Sequence, residues 1–344
     1  MDRDAAVALL ERAPVVHLAS TTPDGRPLIR TVHGVVGGDS LCFHGAPAGE
    51  KTETEGREAV VSAEEIVASI PGYFMDPERA CPATTLCRSA QVHGRIERVV
   101  DVDEKARVLA ALMTKYQPEG GHVPIAADHP LYRKAIEGIR VLRVGLGDLD
   151  GKAKLAQNRT PEDRVRLMEK LRERGLSGDA EAIELIRAHN PGTTIPLFLR
   201  GPADTSLAAW LDAEDAAAAG ALVDGAYWND GFTAATLARA HEASSAWVGA
   251  RDATGALVAT ARAISDREKR AWIYDVMVAP THREKGVGDA VMRLLLDHPA
   301  LRRVRRVYLA TRDAEVFYER LGVGDRRELD VRPYPPTEMV LRRA

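Results

Sequence analysis

A strand, a glycine-containing turn and a helix follow one another in the C-terminal third of the chain. Residues 271 to 278 have the pattern of a strand, and residues 289 to 296 have the apolar spacing of a helix. The turn between them reads Arg283-Glu284-Lys285-Gly286-Val287-Gly288. Glycines allow close backbone approach and positive φ, and free amides at a helix N-terminus bind anions. The segment therefore predicts a pyrophosphate cradle, with the charges of Arg283 and Lys285 beside it.

Two further segments surround this turn. Upstream the chain reads Tyr274-Asp275-Val276-Met277-Val278-Ala279-Pro280, and downstream a predicted strand from Arg306 to Thr311 leads into LATRDAEVFYERLGV, residues 309–323. Together these blocks resemble the GNAT superfamily of acetyl-coenzyme A-dependent N-acetyltransferases. The resemblance covers about 140 residues. It implies direct attack of an amine on the thioester in a V-shaped opening between two strands, where positioning supplies much of the rate.

The resemblance also implies which residues hold acetyl-coenzyme A. The backbone amides of Val276 and Val278 would bind the pantetheine arm and the acetyl carbonyl, and the turn from Arg283 to Gly288 would bind the pyrophosphate. Asp313 stands where many members have an asparagine near the pantetheine, so it is grouped with these binding residues.

Two residues are candidates for the chemistry itself. Tyr318 matches the tyrosine that protonates the departing thiolate, and the alternative is a core aromatic on an amphipathic helix. Asp275 interrupts an apolar strand, where a carboxylate needs a partner or a wet cleft. It is the best candidate for the base that deprotonates the amine, and a structural salt bridge is the alternative.

The first half of the chain predicts a separate β-rich domain. Helical spacing over residues 4–12 precedes a short strand from Val15 to Ser20 and the turn sequence Thr22-Pro23-Asp24-Gly25. Strand-like segments at 28–36, 40–44, 88–100 and 141–144 surround a helix at 103–116. Several strands joined by short turns indicate a small barrel.

Residues 23–51, PDGRPLIRTVHGVVGGDSLCFHGAPAGEK, resemble the split-barrel flavin-binding superfamily that includes pyridoxamine 5'-phosphate oxidase and the nitroimidazole-resistance reductases. Residues 73–99 and 151–164 are similar to its FMN-binding negative transcriptional regulator branch. The resemblance implies that FMN is held by a set of residues in the barrel: Arg30 and Lys51 at the phosphate, Thr31 and Val32 at the isoalloxazine edge, His44 nearby and Ser89 on a later strand.

One position departs from this family pattern. Relatives have a second basic residue just before the lysine, whereas this chain has Gly49-Glu50. FMN, haem and an empty barrel therefore remain open. Because relatives usually complete their flavin sites with residues from a second subunit, the resemblance also implies a homodimer through this barrel.

Composition narrows the class of partner. A formal net charge of -3 and a pI near 6.4 give no basic excess for nucleic acid or anionic membranes. Cys42, Cys81 and Cys87 match neither a disulfide framework nor a zinc pattern, so we expect reduced thiols and no metal. Residues 1–10, MDRDAAVALL, lack the cationic start and long apolar stretch of a signal peptide, and no later run approaches the ~18 apolar residues of a membrane span, so we expect a cytoplasmic protein.

The combined expectation is an α+β chain with two functional domains. A split β-barrel is predicted over 1–156, a helical bridge and linker over 157–203, and a GNAT mixed-sheet domain over 204–344. The first functional hypothesis is acetylation of a small amine, with the barrel as a flavin-dependent partner or dimerisation platform. The second, different in class, is a barrel that senses a flavin, haem or other ligand, with a regulatory or inactive transferase domain as its output.

Overall fold

The structure is a computed structural model that describes residues 1–324, apart from the side chain of Glu50. Residues 325–344, the last part of the predicted acetyltransferase domain, lie outside the described residues. The chain divides into two compact units, Met1–Thr160 and Pro161–Ala344. Within residues 1–324 no helix is both long enough and apolar enough to cross a membrane.

The first unit is built mainly from antiparallel strands. Its elements are α1 (Arg3–Arg12), β1 (Val16–Thr21), β2 (Pro27–Val32), β3 (Gly34–Gly37), β4 (Ser40–Gly45), α2 (Glu50–Glu53), β5 (Glu58–Ile70), β6 (Thr84–Arg95), β7 (Glu97–Val99), α3 (Val102–Tyr116), α4 (Arg133–Gly138), β8 (Arg140–Gly145) and β9 (Asp148–Lys154). One sheet has the order β2-β1-β5-β6-β9, and the other has the order β3-β4-β8-β7.

The chain changes sheet four times, and two of these changes are bends within segments that the sequence predicts as single strands. The single strand expected over 28–36 is interrupted at His33, so that β2 and β3 belong to different sheets. The strand expected over 88–100 is likewise interrupted at Ile96, which is fully buried. An alternating pattern continues through such a bend because both flanking segments keep one face on the same core. Leu18, Val61 and Val92 lie in that core.

The second unit is a mixed sheet with helices. Its elements are α5 (Pro161–Arg174), α6 (Asp179–His189), β10 (Ser206–Ala208), α7 (Ala213–Val223), α8 (Ala234–Glu242), β11 (Ala246–Arg251), β12 (Leu257–Ser265), β13 (Arg270–Val278), α9 (Val287–Leu296), β14 (Arg306–Tyr308) and α10 (Glu315–Glu319). The strand order is β10-β11-β12-β13-β14, antiparallel except for the parallel pair β13 and β14. The α+β class expected from the sequence is confirmed in both units.

Helices cover both faces of this sheet. Ala216 and Ala219 of α7 pack in one cluster with Trp247 of β11. Val248, the next residue along the strand, points to the opposite face, where Leu294 of α9 lies. Because β12 presents Ala259, Ala261 and Ala263, all fully buried, helices can approach it closely. The carboxyl end of β13 is thereby fixed in the middle of the unit.

The two helices predicted as a bridge are packed within the second unit. Gly175 ends α5 with a φ of 66°, and a Cβ there would lie 2.4 Å from Pro299 Cγ, so only glycine fits. Arg302 donates to the carbonyls of Arg172 and Glu173 at the end of α5. Arg187 of α6 donates to the Leu207 carbonyl of β10 at 3.0 Å. These contacts tie α5 and α6 to the sheet.

Candidate functional site

The parallel strands β13 and β14 separate soon after they pair. Their register is limited to Arg270 with Arg306, Ala271 with Val307 and Trp272 with Tyr308. β13 then runs on to Val278 without β14 beside it. A cleft of about 1280 Å³ opens here. It is lined from one side by the end of β13 and the turn before α9, and from the other by α10 and the segment before it.

The end of β13 presents backbone amides to this cleft. The Ala279 amide, just after β13, donates to the Val258 carbonyl of β12 at 2.8 Å. Since successive amides along a strand point to opposite sides, those of Val276 and Val278 face the cleft. The pairing of β12 with β13 is irregular at Asp275, whose φ is 51°. The predicted binding residues Val276 and Val278 both line the cleft.

The glycine turn lies at the mouth of the same cleft. Gly286 is the N-cap of α9 with a φ of 82°, a left-handed conformation that favours glycine. The helix begins at Val287, two residues earlier than the sequence predicts, and its first internal bond is from Ala290 to the Gly286 carbonyl. The amides of residues 287–289 therefore precede the helical bonding pattern and are available to an anion. A Cβ on Gly288 would stand 3.5 Å from Val278, so its absence widens the cleft.

The charged residues of the turn are held along its edge. Arg283 Nε donates to the Val278 carbonyl at 3.1 Å, and Lys285 Nζ donates to the Thr281 carbonyl at 2.8 Å. Glu284, between them, has a φ of 61° and is exposed. The two cations therefore lie beside the free amides, where they add positive potential to the helix N-terminus.

Tyr318 of α10 faces the cleft from the other wall. Its ring is partly buried and lies 5.0 Å from the Phe317 ring. Burial raises the pKa of Tyr318, and the neighbouring Tyr227 raises it further. Within residues 1–324 no hydrogen-bond partner of its hydroxyl is found. The side chain is therefore a protonated phenol in the cleft at neutral pH.

Asp313 lies near the same wall but is largely exposed. Its carboxylate pairs with Arg312 at 3.2 Å, and the two side chains are 63% and 64% exposed. The Arg312 guanidinium lies over the Tyr227 ring, 3.7 Å from its centroid, and the Arg312 amide donates to the Tyr227 hydroxyl at 3.1 Å. The segment before α10 is thus tied to the loop between α7 and α8.

Asp275 is buried and fully engaged. Arg262 Nε donates to one carboxylate oxygen at 2.5 Å, and Trp228 Nε1 and Asn229 Nδ2 donate to the other, each at 3.0 Å. Burial acts to raise the pKa of Asp275, but the Arg262 charge and these hydrogen bonds outweigh it and lower the pKa below its usual value. The side chain is 2% exposed and does not line the cleft. Its surroundings match the salt-bridge alternative and make it a poor base.

Sequence reasoning missed the loop between α7 and α8. Tyr227 and Trp228 line the cleft, and Trp228 connects it to Asp275. The sequence Ala226-Tyr227-Trp228-Asn229 carries no metal or nucleophile pattern. Two adjacent aromatics after an alanine-rich helix were the available signal, because large exposed aromatics concentrate at binding surfaces.

The predicted flavin residues in the first unit fall into two groups. Lys51 Nζ lies 3.5 Å from the His44 carbonyl. Gly34 of β3 pairs with Phe43 of β4, which brings His33 beside His44. Burial lowers the pKa of His44, and the nearby Lys51 and His33 lower it further. Thr31 directly precedes the bend at His33. A cluster of basic groups at this bend suits an anion such as a phosphate.

The remaining three flavin candidates lie outside this basic cluster. Ser89 of β6 pairs with Glu64 of β5, and β6 is separated from β2 by β1 and β5. Three strand spacings place Ser89 about 14 Å from β2. Arg30 stands opposite the buried Leu18 in β1, and its Nη1 donates to the Ile29 carbonyl at 2.8 Å. Val32 is buried in the core and can offer only its backbone.

The described residues contain free cysteines but no cluster of metal ligands. Among the described residues no cluster of three His, Cys, Asp or Glu side chains is placed to hold a metal ion. Cys42 is buried beneath α3, and burial raises the pKa of its thiol to about 11. Cys81 and Cys87 are also free thiols.

Comparison with known proteins finds one family match within each unit. The family model described as pyridoxamine 5'-phosphate oxidase matches residues 2–153, and the model of the acetyltransferase (GNAT) family matches residues 207–323. No curated protein matches the chain.

Solved structures similar to the chain also fall into two sets. A protein of Bacteroides thetaiotaomicron, described as a 5-nitroimidazole antibiotic resistance protein, is 18% identical, covering 44% of this chain and 82% of its own, with a TM-score of 0.35. The FAD and haem binding protein of Mycobacterium smegmatis is 22% identical, covering 44% and 71%, with a TM-score of 0.37. A protein of Xanthomonas campestris pv. campestris, described as a GNAT-family acetyltransferase, is 29% identical, covering 40% and 96%, with a TM-score of 0.33.

The two resemblances expected from the sequence are therefore confirmed by the family models. Residues 2–153 are similar to the pyridoxamine 5'-phosphate oxidase family, and residues 207–323 are similar to the GNAT acetyltransferase family.

Proposed function

We propose that the second unit is an N-acetyltransferase that moves the acetyl group of acetyl-coenzyme A to a small amine. The observation that carries this proposal is the cleft between β13 and β14, which has backbone amides on one wall and the Tyr318 phenol on the other. The amides of Val276 and Val278 would hold the pantetheine arm and the acetyl carbonyl. The turn from Arg283 to Gly288 would hold the pyrophosphate.

The reaction in this cleft is a direct transfer. The amine lone pair forms a C–N bond to the thioester carbonyl carbon, and the C–S bond breaks with its electron pair leaving on sulfur. Tyr318 gives its proton to that thiolate and regains one from water, while the new amide nitrogen releases its extra proton to water. The raised pKa of Tyr318 keeps the phenol protonated until the thiolate forms.

Asp275 has a positioning role in this proposal. It holds Arg262 on one side and the Trp228 and Asn229 side chains on the other. The loop between α7 and α8 is thereby fixed beside the cleft. Because both carboxylate oxygens are occupied and the pKa is lowered, proton removal from the amine falls to water.

The decisive experiment is the variant Tyr318→Phe, which keeps the ring and removes the hydroxyl. We expect turnover to fall by roughly 10- to 1,000-fold with coenzyme affinity nearly unchanged. Turnover is followed by thiol release, and affinity by calorimetry. Tyr227→Phe is the matched comparison, since its hydroxyl accepts the Arg312 amide rather than facing a leaving group. If Tyr318→Phe turns over at the wild-type rate under conditions where acetyl transfer is rate-limiting, Tyr318 is a packing residue and not an acid.

For the first unit we propose flavin binding at the bend near His33. The cluster of Lys51, His44 and His33 is the supporting observation, since three basic groups close together suit the FMN phosphate. Arg30 would join them at the phosphate, and Thr31 and Val32 would meet the ring through their backbone. Bound FMN would supply two-electron redox chemistry; the protein's own residues would position it.

The flavin proposal is tested by titrating the purified protein with FMN and following the quenching of flavin fluorescence. Lys51→Met should weaken binding by about tenfold or more, because a charge-assisted contact is lost. Lys154→Met, which removes an exposed lysine of β9, is the matched control and should leave affinity unchanged. A haem absorption band in the purified protein, or equal FMN affinity of the two variants, would contradict the proposal.

The position of Ser89 supports a homodimer through the first unit. A site that needs both Thr31 and Ser89 is incomplete in one copy, because the two lie three strands apart. A second copy would bring its own Ser89 to the flavin. Sedimentation should therefore show a dimer at micromolar concentration, and a monomer that FMN does not change would contradict this.

A further inference from the structure

A row of three aromatic side chains lies on the sheet beside the cleft. Trp272 stacks on Tyr308, with ring centroids 5.3 Å apart and an interplanar angle of 27°. Trp272 also stacks on Tyr274, at 6.4 Å and 24°. Tyr274 is 42% exposed, and Ile264, opposite Trp272 on β12, is 45% exposed. We call Trp272, Tyr274 and Tyr308 the aromatic row.

The aromatic row ends where β13 and β14 separate, next to the proposed reaction centre. Trp272 and Tyr308 form the last pair before β13 and β14 separate, so their stacked rings lie at the apex of the opening. Tyr274 is followed two residues later by Val276, whose amide faces the cleft. A molecule lying on the row would therefore extend toward the Val276 amide, where the proposed function places the thioester carbonyl. Flat aromatic rings bind another ring by offset stacking.

The charges at this surface disfavour a cation. The Arg262 guanidinium lies over the Tyr274 ring at 5.0 Å, and the Arg312 guanidinium lies over the nearby Tyr227 ring at 3.7 Å. One face of each of these two tyrosine rings, where an ammonium could otherwise bind by a cation–π contact, therefore already holds an arginine. An incoming ammonium would meet two like charges instead.

The cleft also offers no buried carboxylate as a base. Of the described carboxylates that line it, Asp224 and Glu284 are exposed, Asp289 pairs with Arg293 at 2.6 Å, and Asp313 pairs with Arg312. Asp275 is committed to Arg262. An aliphatic amine with a pKa near that of lysine is uncharged in only roughly one molecule in 2,500 at pH 7. An aromatic amine is already uncharged, because its lone pair is delocalised into the ring.

We propose that the acceptor is a primary aromatic amine, whose ring packs on the aromatic row and whose neutral nitrogen faces the acetyl group. This inference rests on the proposed transferase function. The bonds change as in that reaction: the aryl nitrogen forms the C–N bond, the C–S bond breaks, Tyr318 protonates the thiolate, and the nitrogen's extra proton goes to water. The products are an N-acetyl arylamine and free coenzyme A.

Three probe amines of similar size separate the features of this proposal. Aniline is aromatic and weakly basic, benzylamine is aromatic and strongly basic, and cyclohexylamine is strongly basic without an aromatic ring. With the full-length protein and acetyl-coenzyme A, we expect kcat/KM for aniline to exceed that of either other amine by about tenfold or more at pH 7. The rate with aniline should be flat between about pH 6.5 and 8.5, because no substrate proton is lost there.

Two variants test the aromatic row directly. Tyr274→Leu and Trp272→Leu should each raise the KM for aniline by about tenfold while acetyl-coenzyme A affinity, measured by calorimetry, stays within about twofold. Tyr274 is half exposed, so its variant is expected to fold even where the variant of Trp272 is not. Tyr73→Leu, which removes an aromatic side chain of the first unit that is 67% exposed, is the matched control.

The outcomes distinguish this inference from the proposed function. Equal or better use of benzylamine or cyclohexylamine would overturn the aromatic-amine assignment and leave the transferase in place. Unchanged KM for aniline in Tyr274→Leu would overturn it as well. Binding of acetyl-coenzyme A without acetylation of any of the three amines would also refute the assignment. Failure of the wild-type protein to bind acetyl-coenzyme A would instead refute the transferase function itself.

Discussion

The substitution Asp275→Asn separates a positioning role for this carboxylate from a role as base. Asparagine has the same shape, tolerates the left-handed φ of 51° at this position and can still accept from Trp228 and Asn229. It loses the negative charge that faces Arg262. The side chains of Asp275 and Arg262 are only 2% and 13% exposed, so the guanidinium would be left partly desolvated without a counter-charge.

The expected cost follows from this burial. Removing one partner of a buried ion pair costs roughly 3–5 kcal/mol, and we expect about 3 kcal/mol because the hydrogen bonds to the other oxygen are kept. For a unit of this size each kcal/mol lowers the Tm by about 2–4 °C, which gives a decrease of roughly 6–12 °C. Calorimetry on the full-length protein measures it, and the double variant Arg262→Gln/Asp275→Asn should recover part of the loss.

The pH dependence supplies a second measure of the same pair. The folded-state pKa of Asp275 is lowered below the unfolded value of 3.8. Its stabilising contribution is therefore present above pH 3.8 and is lost as the pH falls through the folded pKa. The difference in Tm between wild type and Asp275→Asn should accordingly be largest near neutral pH and shrink in acid.

A matched control is available at the same cleft. Asp313 pairs with Arg312 at 3.2 Å, but both side chains are mostly exposed, so Asp313→Asn should cost less than about 1 kcal/mol. If Asp275→Asn melts within about 1 °C of the wild type and loses more than 100-fold in turnover, the carboxylate is a base and our reasoning is refuted.

Three further predictions follow from individual residues. Gly286→Pro and Gly288→Val should both abolish acetyl-coenzyme A binding, because proline cannot adopt a φ of 82° and valine adds a side chain beside Val278. Unchanged affinity by calorimetry in a folded variant would refute the pyrophosphate cradle. Burial lowers the pKa of His298 to about 4, so the free energy of unfolding should fall by up to about 3 kcal/mol as the pH falls from 6.5 to 4. His298→Asn keeps an acceptor for the Ala300 amide and should remove this acid sensitivity in thermal melts. The control His282→Asn should keep it. Lys105→Met should destabilise the first unit by about 2 kcal/mol in denaturant unfolding, because the buried ammonium donates to three carbonyls at the end of α4; an unchanged midpoint would contradict this.

The parts of the fold that the sequence predicted are those with strong local signals. The turn at Thr22 to Gly25 forms as expected, with the Gly25 amide donating to the Thr22 carbonyl at 2.9 Å. The helix that begins at Pro161 ends before Gly175, as its capping residues indicate. β5 and β9 were missed. β5 carries charged Glu64 and Glu65 in mid-strand, and β9 alternates charged residues with a glycine, so that neither has the apolar run typical of a strand.

The residues of the candidate site also divide into those that the sequence could predict and those that it could not. The sequence predicted a role for Gly286 and Gly288 because a positive φ and a close backbone approach favour glycine. The partners of Asp275 were not, since Arg262 and Asn229 come from elements 13 and 46 residues away along the chain. Only the three-dimensional pairing of β12 with β13 brings Arg262 beside this carboxylate. A sequence shows that a buried carboxylate needs a partner, but it cannot show which one.

These two kinds of signal correspond to two kinds of recognition in the cleft. In the proposed function the coenzyme side consists of amides of β13 and the start of α9. Every residue but proline has such an amide, so side-chain substitutions there should be tolerated except at Gly286 and Gly288. In the proposed function the acceptor side is the aromatic row, so substitutions there should change what the surface can bind. Acceptor specificity should therefore change readily while coenzyme use persists. Asp275 lies between the two sides. Its side chain holds Trp228, and its backbone forms the bulge before Val276. Substitution of Asp275 should therefore lower stability more than it lowers the rate of acetyl transfer.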